Sequence, residues 1–135
     1  MKLDPSAFVA DPQLIEALGQ RAVELSYGAD SVLFHQGDAP TGLYILHRGE
    51  VTLTLDSPGG QLSTQAVPGS LLGLPGLVGN QPYTLTATVR SDAKVSFVSG
   101  DDFTALMESE PQLAFKVLQV LAAEVRSARN AILQR

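Results

Sequence analysis

Between residues 31 and 99 apolar and polar positions alternate. Val51, Leu53 and Leu55 are separated by Thr52 and Thr54, a period of two that predicts a strand with one buried face. Further β-prone runs lie at 32–34, 42–47, 61–67, 84–90 and 94–99. The turn signals between them are Gln36-Gly37-Asp38-Ala39-Pro40, Arg48-Gly49, Ser57-Pro58-Gly59-Gly60 and Ser91-Asp92-Ala93. Short strands punctuated this closely predict an antiparallel sandwich or barrel. Arg48-Gly49 reads as a tight hairpin turn, and residues 91–93 as a break between two strands.

Both ends of the chain change to helical spacing. Asp11-Pro12 offers a cap and a proline at the first helical position, and Leu14, Ile15 and Leu18 supply an apolar stripe that stops near Gly19. A second short element through Val23-Glu24-Leu25 extends the predicted N-terminal helical region over residues 11–27. At the carboxyl end Ser99 or Gly100 caps a helix with Asp101 and Asp102 in its first turn and Phe103, Leu106 and Met107 on its apolar face. Pro111 stops it and starts another, predicted to run to Arg135. There Ala114, Leu118, Leu121, Val125, Ala128 and Ile132 alternate spacings of four and three, a coiled-coil seam. Leu113, Phe115, Val117, Val120 and Leu133 lie off this seam, so one face can pack on the barrel while the other meets a partner. A homodimer through this helix is the expectation, against a single helix lying flat on its own barrel.

Residues 68–89, PGSLLGLPGLVGNQPYTLTATV, carry no charge and are dense in glycine and proline. Turn chemistry rather than periodicity sets this path. Leu71, Leu72, Leu74, Leu77 and Val78 each gain roughly 1.5–3 kcal/mol by burial, so the stretch reads as a formed loop walling a pocket.

The chain's 135 residues fit one domain, 1–135. A net charge of −5, with basic residues scattered from Lys2 to Arg135, argues against nucleic-acid binding by this chain alone. Arg126, Arg129 and Arg135 read as a solvated helix flank with Glu124 nearby. The absence of cysteine removes disulfide and thiol chemistry. No apolar run is long enough for a membrane span or a signal peptide, which predicts a cytoplasmic protein.

Catalytic chemistry finds little support. His35 and His47 are the only histidines, and no serine is fixed near either. Asp38 reads as a loop cap, Glu50 as solvated or paired to Arg48, and Asp101 and Asp102 as helix-start residues. The expectation is a non-enzyme without metal or cofactor.

The order of these features, helix, strand, Gly37-Asp38, Gly42-Leu43-Tyr44-Ile45-Leu46, Gly49-Glu50-Val51, glycine-rich loop and two terminal helices, resembles the cyclic-nucleotide-binding domain of Crp/Fnr-type regulators over nearly the whole chain. Gly37, Gly49, Gly69 and Gly73 stand at that family's turns. The resemblance implies a mainly β fold with flanking helices, a jelly-roll-like barrel (β-roll) over 31–99, and terminal helices over 101–135, the last for dimerisation. It also implies that residues 68–89 are the phosphate-binding cassette, in which a Phe-Gly-Glu-Leu-Ala motif leads to Pro-Arg. There the Glu holds the ribose hydroxyl and the Arg the cyclic phosphate.

Here Leu72-Gly73-Leu74-Pro75-Gly76 overlies the first motif and Pro82-Tyr83 the second, so Leu74 replaces the Glu and Tyr83 the Arg. Losing two charge-assisted contacts of about 1.5–3 kcal/mol each implies poor binding of cyclic AMP or cyclic GMP. Thr84 and Thr86 remain as hydrogen-bonding groups, and Arg90 is the next cation along the chain. Leu72, Gly73, Leu74, Pro82, Tyr83, Thr84 and Thr86 form the expected pocket, with Tyr83 either lining it or filling it. The function implied is a regulatory sensor, in signal transduction or transcription regulation, for an uncharged or weakly anionic small molecule. A ligand-free dimerisation or interaction module is the alternative. A cupin-like metalloenzyme on a related barrel is a third reading, and the histidines it needs are missing. Family members commonly carry a winged helix-turn-helix after the dimer helix. With Arg135 last, the expectation is an effector domain outside this sequence or a signal passed to another protein.

Overall fold

The computed structural model describes residues 2–133; Arg135 and the predicted helix end there lie outside the described residues. A short 3-10 helix, Pro5–Phe8, precedes α1 (Pro12–Gly19), β1 (Val23–Tyr27), β2 (Val32–Phe34), β3 (Gly42–Ser57), β4 (Gly60–Ala66), β5 (Leu71–Leu72), α2 (Leu74–Gly79), β6 (Thr86–Ser99), α3 (Gly100–Ser109) and α4 (Leu113–Leu133). All strand pairings are antiparallel, in the order β1-β6-β3-β4, with β2 on β6 and β5 on β3. Helices flank this sheet, as the alternation and the end patterns predict. Among the described residues the pairing path does not close on itself, so the roll is an open sheet.

Three local expectations are corrected. Residues 23–27 are a strand, not part of a helical region: Val23 to Tyr27 pair with Phe97 to Ala93, and a distant partner outweighs local propensity. Arg48-Gly49 does not turn a hairpin, and residues 91–93 do not divide two strands. Instead β3 and β6 are long partners that bend together, with register shifts between Leu46 and Val51. Gly49 makes the bend possible. Its φ is +102°, and a Cβ there would lie 2.3 Å from the Asp92 carbonyl oxygen and 2.5 Å from the Ala93 Cα, a backbone approach open only to glycine.

The core lies on both sides of β3. Leu43 and Ile45 point to one cluster with Leu14, Leu18, Leu71, Val98, Phe103 and Leu106. Tyr44 and Leu46 point to the other, inside the roll, with Phe34, Val51, Leu53, Leu62 and Val95. Successive side chains of a strand face opposite ways, so the unbroken apolar run at 43–46 marks a strand covered on both faces. Lys116 Nζ reaches Asp11 Oδ2 at 2.8 Å, joining α4 to the cap of α1. That contact, followed by the Gln13 amide, lowers the Asp11 pKa.

Candidate ligand-binding site

The loop between β4 and β6 is held by backbone geometry. Gly73 caps α2 in the left-handed region and Asn80 ends it in the same region. Beyond it, the turn at 37–38 grips Tyr83: Gly37 N–H donates to the Tyr83 carbonyl and Tyr83 N–H to the Asp38 carbonyl, both at 2.9 Å. Asp38 therefore acts through its main chain. The Tyr83 side chain is buried. Its hydroxyl accepts from Thr41 N–H at 3.1 Å and Gly42 N–H at 3.3 Å and donates to the Gly42 carbonyl at 2.7 Å. The ring stacks on Phe34 at a centroid distance of 4.2 Å. A Cβ on Gly73 would meet that ring at 2.9 Å, so only glycine allows the approach.

The residues predicted to share a pocket are spread over several environments. Leu72 joins Tyr83 in the cluster inside the roll. Leu74 is fully buried in the other cluster, beneath the helices, and so does not wall the same space. Pro82 is exposed. Thr86 Oγ1 accepts from Gln36 N–H at 2.9 Å. Arg90, also exposed, donates to Thr52 Oγ1 at 3.2 Å. Val78, expected to be buried, is exposed.

Thr84 alone of those seven residues borders an apolar cavity of about 150 Å³ between the roll and α4. Leu3 and Phe8 of the N-terminal segment, Leu55 and Leu85 of the roll, and Val125 and Ala128 of α4 form most of its wall, with Pro75 beside Thr84. Asp4 N–H donates to Ser127 Oγ at 2.7 Å, anchoring the N-terminal segment to α4.

The remaining lining residue is Glu124. It is 7% exposed, and among the described residues its two carboxyl oxygens are the buried side-chain atoms without a hydrogen-bond partner. Burial pushes its pKa up to about 8, so the carboxyl holds its proton at neutral pH. Glu124 is thus not a solvated companion of Arg126. The signal was present in the spacing: Leu113, Val117, Val120, Glu124, Ser127 and Ala131 form the buried face of α4, each one residue before a seam position. Extending the apolar series from Val120 by one turn arrives at Glu124.

The seam itself stands about 100° around the helix from this face. Leu118, Val125 and Ile132 are 56%, 64% and 46% exposed, while Ala114, Leu121 and Ala128 are half-buried. Phe115 and Leu133 are also exposed.

Other polar groups have local partners. His47 Nε2 lies 2.6 Å from Ser96 Oγ, and Gln65 donates to Glu50 at 3.4 Å. Ser99 caps α3 by accepting from Asp102 N–H. Among the described residues no three His, Cys, Asp or Glu side chains cluster to hold a metal ion, and no helix is long and apolar enough to cross a membrane.

Comparison with known proteins agrees with the fold. Residues 24–110 match the family model of the cyclic nucleotide-binding domain. The cyclic AMP receptor protein of Thermus thermophilus is 30% identical over 104 residues, covering 76% of this chain and 48% of that protein. The chain spans about half the length of the curated relatives it matches. The crystal structure of the Thermus thermophilus catabolite activator protein superposes with a TM-score of 0.77 at 23% identity, covering 96% of this chain and 62% of the other. Oxidized CprK in complex with o-chlorophenolacetic acid gives a TM-score of 0.70 at 14% identity, over 94% of this chain and 53% of that one. At these identities the two structures speak for the fold alone.

Proposed function

This chain belongs to the cyclic-nucleotide-binding domain family, of the Crp/Fnr type, and on that premise we propose that it is a non-catalytic sensor domain for a small apolar molecule, not for cyclic AMP or cyclic GMP. In this reading it acts in the cytoplasm as a homodimer through α4, in signal transduction or transcription regulation. By the sequence resemblance, Leu74 and Tyr83 take the positions of the Glu and Arg with which the family holds ribose and phosphate. The Tyr83 hydroxyl is spent on Thr41 and Gly42, which supports a Tyr83 that does not serve as a phosphate-binding group. Oxidized CprK, which shares the fold, was solved with o-chlorophenolacetic acid, so the fold itself accommodates a small molecule that is not a nucleotide.

One observation carries the sensor reading. Val125 and Ala128 line the cavity and also belong to the α4 seam, so a molecule in the cavity touches the surface through which a second copy would pack. Occupancy then biases the helix pair by whatever difference in contact it makes there. The packing of Tyr83 favours a second reading, a ligand-free dimerisation module.

A thermal-shift titration separates these. A ligand at 100 times its dissociation constant adds about 2.7 kcal/mol, a midpoint rise on the order of 5–10 °C for a domain of this size. The sensor reading expects no such rise with cyclic AMP or cyclic GMP and a clear rise with small aromatic compounds. A rise with cyclic AMP would overturn the replaced-cassette argument. Silence from nucleotides and aromatics alike would leave the ligand-free module.

A further inference from the structure

We propose that the cavity between the roll and α4 is a binding site for a small apolar molecule carrying an ammonium or another strong N–H donor, with Glu124 as the group that recognises it. This rests on the sensor reading above and gives its ligand a chemistry, replacing the uncharged or weakly anionic molecule that the cassette residues alone imply.

The argument begins with what Glu124 lacks. Its oxygens are buried and unpartnered, although the same face of α4 is otherwise built from Leu113, Val117, Val120, Ser127 and Ala131. An apolar side chain would suit that position better, since a buried carboxyl without hydrogen bonds is costly. A perturbed carboxyl at a cavity wall is a candidate recognition group. The rest of the wall carries no charge, and Thr84 offers its only other polar side chain. Lys2, Asp4 and Arg126, the charged groups of the N-terminal segment and of α4 nearby, line a separate groove with Ser6 and Asn130. Nothing within the cavity therefore competes for the carboxyl. A phosphate or carboxylate ligand would find no cation in this wall to offset its desolvation, whereas an N–H donor supplies the partner that the carboxyl oxygens lack.

Size narrows the class. An apolar cavity of about 150 Å³ takes a molecule the size of benzene, which here leaves one short arm to reach Glu124. A single-ring amine fits this description and a nucleotide does not. Entry is open at the rim, where Val125 and Thr84 are exposed. Binding carries a proton balance. The neutral carboxyl loses its proton to solvent, the ammonium keeps its own, and the resulting pair is a charge-assisted hydrogen bond.

Benzylamine and toluene are the probes, with binding measured by calorimetry at pH 7 and localised by NMR shifts of the Val125 and Ala128 methyl groups. The proposal expects benzylamine to bind at least about tenfold more tightly than toluene. It also expects release of a proton, read as a dependence of the binding heat on buffer ionisation enthalpy. In Glu124→Gln and in Glu124→Met the preference falls below about twofold and the proton release disappears, while toluene binding reports that the variant is folded. Toluene binding at these methyls without a preference for benzylamine would sink the assignment to Glu124 and leave the sensor reading in place. Binding of neither probe would overturn both.

Discussion

The hydroxyl of Tyr83 donates to the carbonyl oxygen of Gly42 at 2.7 Å, joining the end of the glycine-rich loop to the first residue of β3. The Tyr83 hydroxyl oxygen in turn accepts from the main-chain amides of Thr41 and Gly42. One phenol thus satisfies three buried or half-buried backbone groups and helps hold the loop on the roll.

Tyr83→Phe keeps the ring stack with Phe34 and removes only the oxygen. Three backbone groups then lose their partner, so the variant is expected to be less stable by about 1–3 kcal/mol. Urea denaturation checks this. An unchanged midpoint would mean that water replaces the hydroxyl without cost.

Gly49→Ala places a methyl group against the Asp92 carbonyl at a φ of +102°. The expected loss is more than about 2 kcal/mol. Gly19→Ala is the matched control, since a Cβ there meets nothing within 4 Å and the residue closes α1. A gain of about 0.4–1 kcal/mol is expected. Equal effects at the two positions in chemical denaturation would contradict the bend at Gly49.

Glu124 makes stability depend on pH with a definite sign. Its pKa is raised from 4.5 to about 8 by burial, so the folded chain keeps a proton that the unfolded chain has released. Stability is therefore full below about pH 4.5, declines as pH rises toward 8, and levels off above that. The melting midpoint is expected to fall by about 5 °C or more between pH 5 and pH 8, and Glu124→Gln to remove most of that fall. A wild-type midpoint that rises or stays level through this window would refute the buried, unpaired carboxyl.

Leu118 and Ile132 are solvent-facing on one chain, so replacing both with Glu has little effect on the folding of that chain and is expected to abolish a dimer formed through the seam. Sedimentation velocity reads the outcome. A dimer that persists in the double variant would move the interface elsewhere, and a wild-type monomer at micromolar concentration would remove it.

What the sequence determined by itself was local. Val51, Leu53 and Leu55 alternate because each strand residue faces opposite its neighbour, and all three lie on the inner face of β3. Asp11 and Ser99 mark helix starts through bonds to the amides of Gln13 and Asp102, made within a few residues. The combined positions of the turn glycines were enough to indicate the family.

Tertiary structure decided what depends on distant partners. Residues 23–27 become a strand because β6 offers an edge to pair with. The chain bends at Gly49 instead of turning because β6 bends beside it. In the glycine-rich loop side-chain direction follows no period, so that Leu72 and Leu74 part to opposite clusters and Tyr83 folds inward could not be read from their order. Glu124 falls on the spacing of the buried α4 face, but what that face meets is tertiary: Leu3, Phe8, Leu55 and Leu85 come from remote parts of the chain to line one cavity with it, and burial changes the chemistry of a carboxyl.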